Sequence, residues 1–162
     1  MSETGPVELA DLDLVVAVQL SAVFLGDEIR RRLDRAGYPD LRHSHGYLLQ
    51  HLLAGPVGVT ELARRLAVSQ QAVSKSAAEL VSGGYLERRP AAHDQRARLL
   101  ALTERGRQAV EAARQARAEI TEELADGLGP ERVQTTRDTL LAALHQLGAA
   151  PAIRTRSVRP PG

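Results

Sequence analysis

The sequence predicts a mainly α-helical protein with one small β-hairpin, and three observations indicate this fold class. Apolar residues recur every three or four positions along most of the chain, which is typical of helices that bury one face. A turn-forming segment, 90–95, separates two short stretches with strand character. The chain has one Phe, three Tyr and no Trp, so its core has to be built from Leu, Val and Ala.

Length and composition limit the kind of protein. The 162 residues suffice for one domain. The absence of Cys excludes disulfide bonds and thiolate metal sites. The N-terminus lacks the basic start and apolar run of a secretory signal, and the uncharged run 14–26 is too short to cross a bilayer. We therefore expect a cytoplasmic protein with no membrane partner.

Six helices are predicted from the apolar spacing and from residues that cap or break helices. Ser44, Thr60, Ser69 and Thr103 have hydroxyl side chains suited to capping the second to fifth helices. Gly and Pro residues follow most of the helices and end them. The first four predicted helices span about 9–36, 44–54, 61–66 and 69–81. The fifth follows Thr103, and Gly127 and Gly129-Pro130 separate it from the sixth.

Two strands, 85–89 and 98–102, are predicted to form the hairpin, and 57–59 is a candidate third strand. Positive charge gathers in the same part of the chain, because residues 61–107 carry a net charge of +4 and residues 1–53 carry −3. A surface that faces phosphates requires such a concentration. The alternative is a charged face that meets only solvent.

The fourth helix begins with polar side chains of the type that read DNA bases. Gln70 and Gln71 have amides that pair with adenine, and Ser69, Ser74 and Lys75 can reach bases or phosphates. A short helix pair followed by a basic hairpin is a shape that enters one groove and touches the next. The segment therefore indicates a DNA-binding surface.

The hairpin supplies further cations. Arg88 lies on its first strand, and Arg96 lies near its turn, two residues after Asp94. The carboxylate of Asp94 can orient the guanidinium of Arg96 for a narrow minor groove, although a weak surface ion pair is the alternative. The predicted DNA-binding residues are Thr60, Ser69, Gln70, Gln71, Ser74, Lys75, Arg88, Asp94 and Arg96.

These motifs resemble the MarR family of bacterial winged-helix transcription regulators. The matching segments are Thr-Glu-Leu-Ala at 60–63, Ser-Gln-Gln-Ala-Val-Ser-Lys at 69–75, Gly-Tyr-Leu-Glu-Arg at 84–88, Asp-Gln-Arg at 94–96 and Leu-Thr-Glu-Arg-Gly at 102–106. The resemblance covers roughly residues 12–147. By motif position, it implies a recognition-helix role for 69–75 and a wing role for Asp94 and Arg96.

The resemblance further implies a winged helix-turn-helix domain and a homodimer. Such a dimer binds an inverted-repeat site on double-stranded DNA, usually as a repressor that a small molecule releases. We expect a single domain over 1–162, in which 44–103 form the DNA-binding module. Helices within 9–43 and 104–148 would form the dimer, since the module has its own core and leaves their apolar stripes uncovered. The tail, 149–162, is predicted to be disordered.

An effector site is predicted where the dimer helices meet the module. Effectors of this family bind there, and one Arg and two His beside aromatic rings could hold a phenolate or carboxylate. The alternative is that these residues only pack and cap the second helix. The predicted ligand-binding residues are Phe24, Tyr38, Arg42, His43, His45 and Tyr47.

Other functions are less well supported. His43, His45 and His51 lack the i, i+4 spacing of a helical metal site, so neither a metal nor another cofactor is predicted. The chain has no nucleophile elbow, phosphate loop or His-Glu-x-x-His motif, so no enzyme is predicted. A winged helix that binds another protein instead of DNA is the alternative, and it would favour an apolar or acidic fourth helix.

Overall fold

The computed structural model describes residues 8–91, 94–149 and 151, and for 94–97 it describes the backbone only. Within these residues the chain forms six α-helices and a three-stranded sheet, which confirms the predicted fold class. A short 3₁₀ turn, Leu9–Asp11, precedes the first helix. The helices are α1 (Leu14–Arg35), α2 (His43–His51), α3 (Val59–Leu66), α4 (Gln70–Ser82), α5 (Glu104–Leu128) and α6 (Pro130–Gln146), and the strands are β1 (Val57–Gly58), β2 (Leu86–Ala91) and β3 (Asp94–Leu102).

The sheet is antiparallel with the order β1-β3-β2, so β3 lies in the centre. The short third strand is confirmed, but the hairpin is longer than predicted, because both of its strands extend into the segment assigned to the turn. Pro90 pairs with Arg98 inside β2. Strand β2 lies at the edge of the sheet, where Pro is tolerated because its missing N–H is needed neither on the open side nor at an irregularity. The register shifts directly after Pro90.

Two of the four predicted helix caps are confirmed. The Ser69 hydroxyl accepts a hydrogen bond from the Ala72 N–H at 3.1 Å, and the Thr103 hydroxyl accepts one from the Gly106 N–H at 3.0 Å. At α1 the sequence prediction missed Asp13, whose carboxylate accepts from the Val16 N–H at 2.9 Å. Helix α1 therefore begins five residues later than predicted.

The predicted caps at Ser44 and Thr60 are wrong. Arg42 occupies the N-cap position of α2, and its backbone N–H donates to Nδ1 of His45 at 3.3 Å. His45 thus has the role of the N3 residue in a capping box, because its ring accepts the N–H of the N-cap residue itself. Gly58 occupies the N-cap position of α3 because β1 leads directly into that helix, which places Thr60 inside its first turn.

The core lies within the module formed by α2, α3, α4 and the sheet, where aliphatic side chains pack closely. Leu62, Ala63, Leu66 and Val73 are buried there, and Val68 is partly buried. The same cluster also contains Leu33 of α1 and Ala109 of α5, so these helices pack against the module. Its most fully buried side chains are Leu52, Leu62, Leu80, Leu86, Leu100, Leu102 and Val73.

Helix α1 is attached to α5 through a cluster of charges. The Arg32 guanidinium is mostly buried and donates to Glu28 on its own helix at 2.9 Å. It also donates to Glu119 at 3.2 Å and to Glu123 at 2.6 Å, both on α5. Three carboxylates around one guanidinium fix the two long helices relative to each other.

The outer helices leave much of their apolar surface exposed. Among the described residues, α1 buries only Leu33, and α6 buries none. Side chains such as Val23, Leu141 and Leu144 remain 59%, 48% and 39% exposed. The predicted tail lies outside the described residues apart from 149 and 151. In the described part of the chain, no helix is both long and apolar enough to cross a membrane.

Candidate nucleic-acid interface

Helix α4 presents a polar face to solvent and an apolar face to the core. Ser69, Gln70, Gln71, Ser74 and Lys75 are all exposed, as the sequence predicts for DNA-contacting residues. On the opposite face, Val73, Ala77 and Leu80 are buried. The Ser69 hydroxyl accepts the helix-capping hydrogen bond, so its oxygen has one lone pair fewer for an external partner. We call α4 the reading helix, after the role that the sequence predicts for it.

Helix α3 precedes the reading helix through a tight turn in which Ala67 has a left-handed conformation (φ 52°). Its cations are already paired with an acid. The Glu61 carboxylate accepts from Arg64 at 2.8 Å and 2.7 Å and from Arg65 at 2.7 Å, and these bonds lower its pKa to about 2. Glu61 therefore partly neutralises two cations next to the exposed Thr60.

The hairpin supplies an exposed cation at Arg88, while the neighbouring Arg89 donates to Glu87 at 2.7 Å. Among the described side chains, neither Arg88 nor Lys75 is within ion-pair distance of a carboxylate. Asp94 and Arg96 lie on β3, but their side chains are outside the described part of the structure. The contact between them stays a prediction.

The base of the hairpin is locked onto α5 by Thr103 and Gly106. The Thr103 hydroxyl lies 2.6 Å and 3.0 Å from the carbonyl oxygens of Gly84 and Tyr85, which share its proton. A Cβ atom on Gly106 would lie 2.1 Å from the Tyr85 carbonyl oxygen, so only Gly fits at this position. This geometry explains the spacing of the Leu-Thr-x-x-Gly motif, which joins the wing to the helix after it.

Residues 40–97, which include α2 to α4 and most of the hairpin, match the model of the MarR family. This segment is therefore similar to the MarR family. The uncharacterized protein Rv2011c of Mycobacterium tuberculosis is 38% identical over 82 residues, which cover 51% of this chain and 57% of that protein. The chain thus spans little more than half the length of this relative.

Solved MarR-type structures share the fold. The reduced form of MarR from E. coli has a TM-score of 0.68 and 24% identity, and the match covers 82% of this chain and 97% of that chain. YusO from Bacillus subtilis has a TM-score of 0.64 and 23% identity, and the match covers 86% of this chain and 99% of that chain. FabT from Streptococcus pneumoniae, solved in complex with DNA, has a TM-score of 0.61 and 20% identity, and the match covers 84% of this chain and 97% of that chain. These likenesses show a winged-helix fold.

A cavity of about 340 Å³ lies between α1, α2 and α5. Arg42, His43 and Tyr47 line it, so three of the predicted ligand-binding residues come together there. The rings of His43 and Tyr47 meet edge to face at 5.4 Å. Sequence analysis missed Arg30 and Arg117, which add two guanidinium groups to the rim, because they lie on α1 and α5.

The other three predicted ligand-binding residues lie elsewhere. Phe24 is 68% exposed on α1 and does not line this cavity. Tyr38 lies 5.4 Å beneath the Arg105 guanidinium, which also contacts the ring of Tyr85. His45 is buried and faces Glu79 on the reading helix. The structure therefore separates a set that the sequence grouped together.

His45 is held in its neutral form. Burial and the positive charge of Arg42 lower its pKa to about 4. Among the described residues, no three metal-binding side chains are grouped closely enough to hold a metal ion.

The pKa of His45 leads us to expect a loss of stability in acid. In the unfolded chain the ring titrates near 6.5, whereas in the folded chain it titrates near 4. The contribution of neutral His45 to the free energy of unfolding is complete above pH 6.5. It is lost as the pH falls towards 4, because over this range only the unfolded state takes up the proton. The free energy of unfolding should fall by up to about 3 kcal/mol over this range.

Urea denaturation at pH 7, 6, 5 and 4 measures this effect. A His45→Gln variant cannot titrate at this position, so its stability should vary less with pH than that of the wild type. His145→Gln, at an exposed position on α6, is the control and should follow the wild type. Parallel curves for the wild type and His45→Gln would contradict the assignment.

Proposed function

We propose that this chain is a transcription regulator of the MarR family, which binds DNA sequence-specifically and acts as a homodimeric repressor at an inverted-repeat promoter site. The single observation that carries the proposal is the exposed polar face of the reading helix. The side chains of Gln70, Gln71 and Ser74 offer hydrogen-bond donors and acceptors that no other described side chain occupies. They lie next to the cation of Lys75. This chemistry suits base edges and phosphates in a major groove.

The exposed apolar surface of α1 and α6 supports a homodimer. Many Leu and Val side chains and Phe24 are exposed there in a single chain. Contact of so much apolar surface with water is unfavourable in free energy unless another surface covers it. A twofold axis through these helices would present two reading helices on one face. Two major grooves about one helical turn apart, at roughly 34 Å, then form an inverted-repeat site. FabT, a structural neighbour, was solved in complex with DNA, which supports the same partner here.

The protein-binding alternative is less well supported. A winged helix that docks on a protein would favour apolar or acidic side chains on the exposed face of α4, and that face begins with uncharged polar residues and Lys75. No catalytic role is proposed, and the interpretation of the chain as a non-enzyme stays a prediction.

The cavity between α1, α2 and α5 supports a small-molecule effector. Ile29, Leu33 and Ala113 contribute apolar walls, and Arg117 contributes positive charge. The guanidinium groups of Arg30 and Arg42 also line the cavity, but they are paired with Asp27, Asp34 and Glu79. Asp and Glu are absent from the described residues that line it. An apolar cavity with a cationic rim suits a small aromatic carboxylate or phenolate. Since the cavity connects the outer helices with the module, its occupancy could change the spacing of the two reading helices.

Selection of bound duplexes from a random pool tests the proposed function. The wild type should recover an inverted repeat, and benzoate, as a simple aromatic carboxylate, should weaken binding to it. In Lys75→Ala, the dependence of log K on log salt should flatten by about one unit if Lys75 contacts a phosphate. If it contacts a base, the preference at one position should relax.

Lys75→Arg retains the charge and is the matched control, so its salt dependence should equal that of the wild type. If Lys75→Ala changes neither the salt dependence nor the base preference, Lys75 does not lie in the interface. A wild type that binds all duplexes equally, with no dependence on salt, would favour the protein-binding alternative.

A further inference from the structure

The reading helix is connected to α2 by a group of three side chains, Arg42, His45 and Glu79, which we call the α2–α4 junction. Glu79 lies on the reading helix one turn after Lys75, and 34 positions separate it from His45 along the chain. Its carboxylate lies 3.1 Å from Nε2 of His45 and forms an ion pair with the guanidinium of Arg42. Arg42 is the N-cap residue of α2, and His45 lies in its first turn.

The protons of the junction can be assigned from its geometry. Nδ1 of His45 accepts the backbone N–H of Arg42 at 3.3 Å, so this nitrogen carries no proton in the neutral ring. The single ring proton is therefore on Nε2, where it points at Glu79. The guanidinium of Arg42 lies 3.3 Å from the same nitrogen, so both groups direct donors towards one carboxylate.

The junction supplies what the apolar packing of the reading helix lacks. Val73, Ala77 and Leu80 bury one face of the helix, but apolar contact has no preferred direction and permits small rotations about the helix axis. Hydrogen bonds to Glu79 are directional and oppose such a rotation. Helix α2 in turn packs against α5, which connects the junction to the long helices of the protein.

We propose that Glu79 is a positioning residue for DNA reading. Through His45 and Arg42, it sets the rotation of the reading helix so that Gln71 and Ser74 meet base edges, and it does not itself touch DNA. This inference rests on the proposed function. Base contacts need hydrogen-bond geometry within a few tenths of an ångström, whereas phosphate contacts through flexible cations tolerate larger shifts. Loss of the junction should therefore reduce specificity more than general affinity.

Glu79→Gln tests the proposal, because Gln keeps the size and an acceptor for His45 but removes the charge that pairs with Arg42. Affinity is measured for the duplex recovered by selection and for a scrambled duplex of the same length. Affinity for the recovered site should fall by about tenfold to a hundredfold, the discrimination that one bidentate base contact supplies. Affinity for the scrambled duplex and the salt dependence should stay close to wild type.

Glu111→Gln is the matched control, since Glu111 is an exposed carboxylate on α5 that pairs with Arg114. It removes the same charge without touching the reading helix, and its ratio of specific to scrambled affinity should not change. Arg42→Gln removes the other half of the ion pair and should also lower the ratio. If Glu79→Gln does not fold, the affinities of Arg42→Gln test the proposal in its place.

The outcomes separate the two proposals. If the wild type discriminates between the duplexes and both junction variants keep the full ratio, the positioning role is wrong although the proposed function stands. A parallel loss for both duplexes, together with lower resistance to urea, also overturns it, because that result indicates only a structural role. A wild type without any duplex preference overturns the proposed function itself.

Discussion

Gly106→Ala should lower the free energy of unfolding by about 3 kcal/mol or more. The added Cβ would lie 2.1 Å from the Tyr85 carbonyl oxygen and 3.1 Å from a methyl carbon of Leu102. The carbonyl belongs to the backbone at the start of the hairpin and cannot rotate away as a side chain would. Either α5 or the hairpin has to move, and the move also breaks the bonds that Thr103 makes to Gly84 and Tyr85.

Urea denaturation, followed by far-ultraviolet circular dichroism, measures the loss. Gly127→Ala is the matched control on the same helix, because nothing lies within 4 Å of its Cβ position. Ala has the higher helix propensity, so the control should leave stability unchanged or raise it by up to about 1 kcal/mol. Equal stabilities for Gly106→Ala and the wild type would show that the hairpin does not pack on α5 in this way.

Gly106 illustrates what the sequence predicts without a structure. The motif Leu-Thr-x-x-Gly indicates a capped helix after a strand, and Thr103 caps α5 as predicted. The close approach of the Tyr85 carbonyl is not visible in the pattern, because Tyr85 lies 21 positions earlier in the chain. Local chemistry, such as a cap or a helix break, is therefore predictable, whereas contacts across the fold require the coordinates.

The predicted ligand-binding set shows the same division. His43 and His45 are two positions apart in a helix, so their side chains point about 200° apart around its axis. One lines the cavity beside α5, and the other meets Glu79 on the reading helix. The sequence identified the right segment, but the grouping by proximity along the chain ignored the helical rotation. A helical projection of α2 would have separated the two residues.

The exposed face of the reading helix was predictable for a different reason. Buried Val73, Ala77 and Leu80 recur at helical spacing, and the polar residues between them then have to face outward. The same argument predicts uncovered apolar stripes on α1 and α6, which the structure shows in a single chain. Apolar residues that are buried only by a second chain form a periodic stripe with no packing partner in their own chain. Substitutions in such a stripe test whether a second chain covers it.

The double variant Leu141→Glu, Leu144→Glu should convert the proposed homodimer into a monomer. Both side chains are exposed in a single chain, so a change there should cost little stability within the chain, about 0.5 kcal/mol or less. In a dimer that buries them, each carboxylate would lose its hydration without a partner. The module core, including Leu62 and Leu100, is buried within one chain and should remain folded.

DNA binding should change in a characteristic way. Affinity for the full inverted repeat should fall by about a hundredfold or more, because the second half-site no longer benefits from a linked partner. Affinity for a duplex with one half-site should stay the same, since the reading helix is unaltered. Analytical ultracentrifugation gives the mass, and circular dichroism verifies that the helices remain.

Thr139→Glu, Gln146→Glu is the matched control, because these exposed residues lie on the opposite face of α6 by helical rotation. It adds the same charge to the same helix and should stay dimeric with full affinity. A dimeric Leu141→Glu, Leu144→Glu protein would place the interface elsewhere and remove α6 from it. A monomeric variant that keeps full affinity for the inverted repeat would instead separate dimerisation from DNA reading, since one reading helix would then account for the whole site.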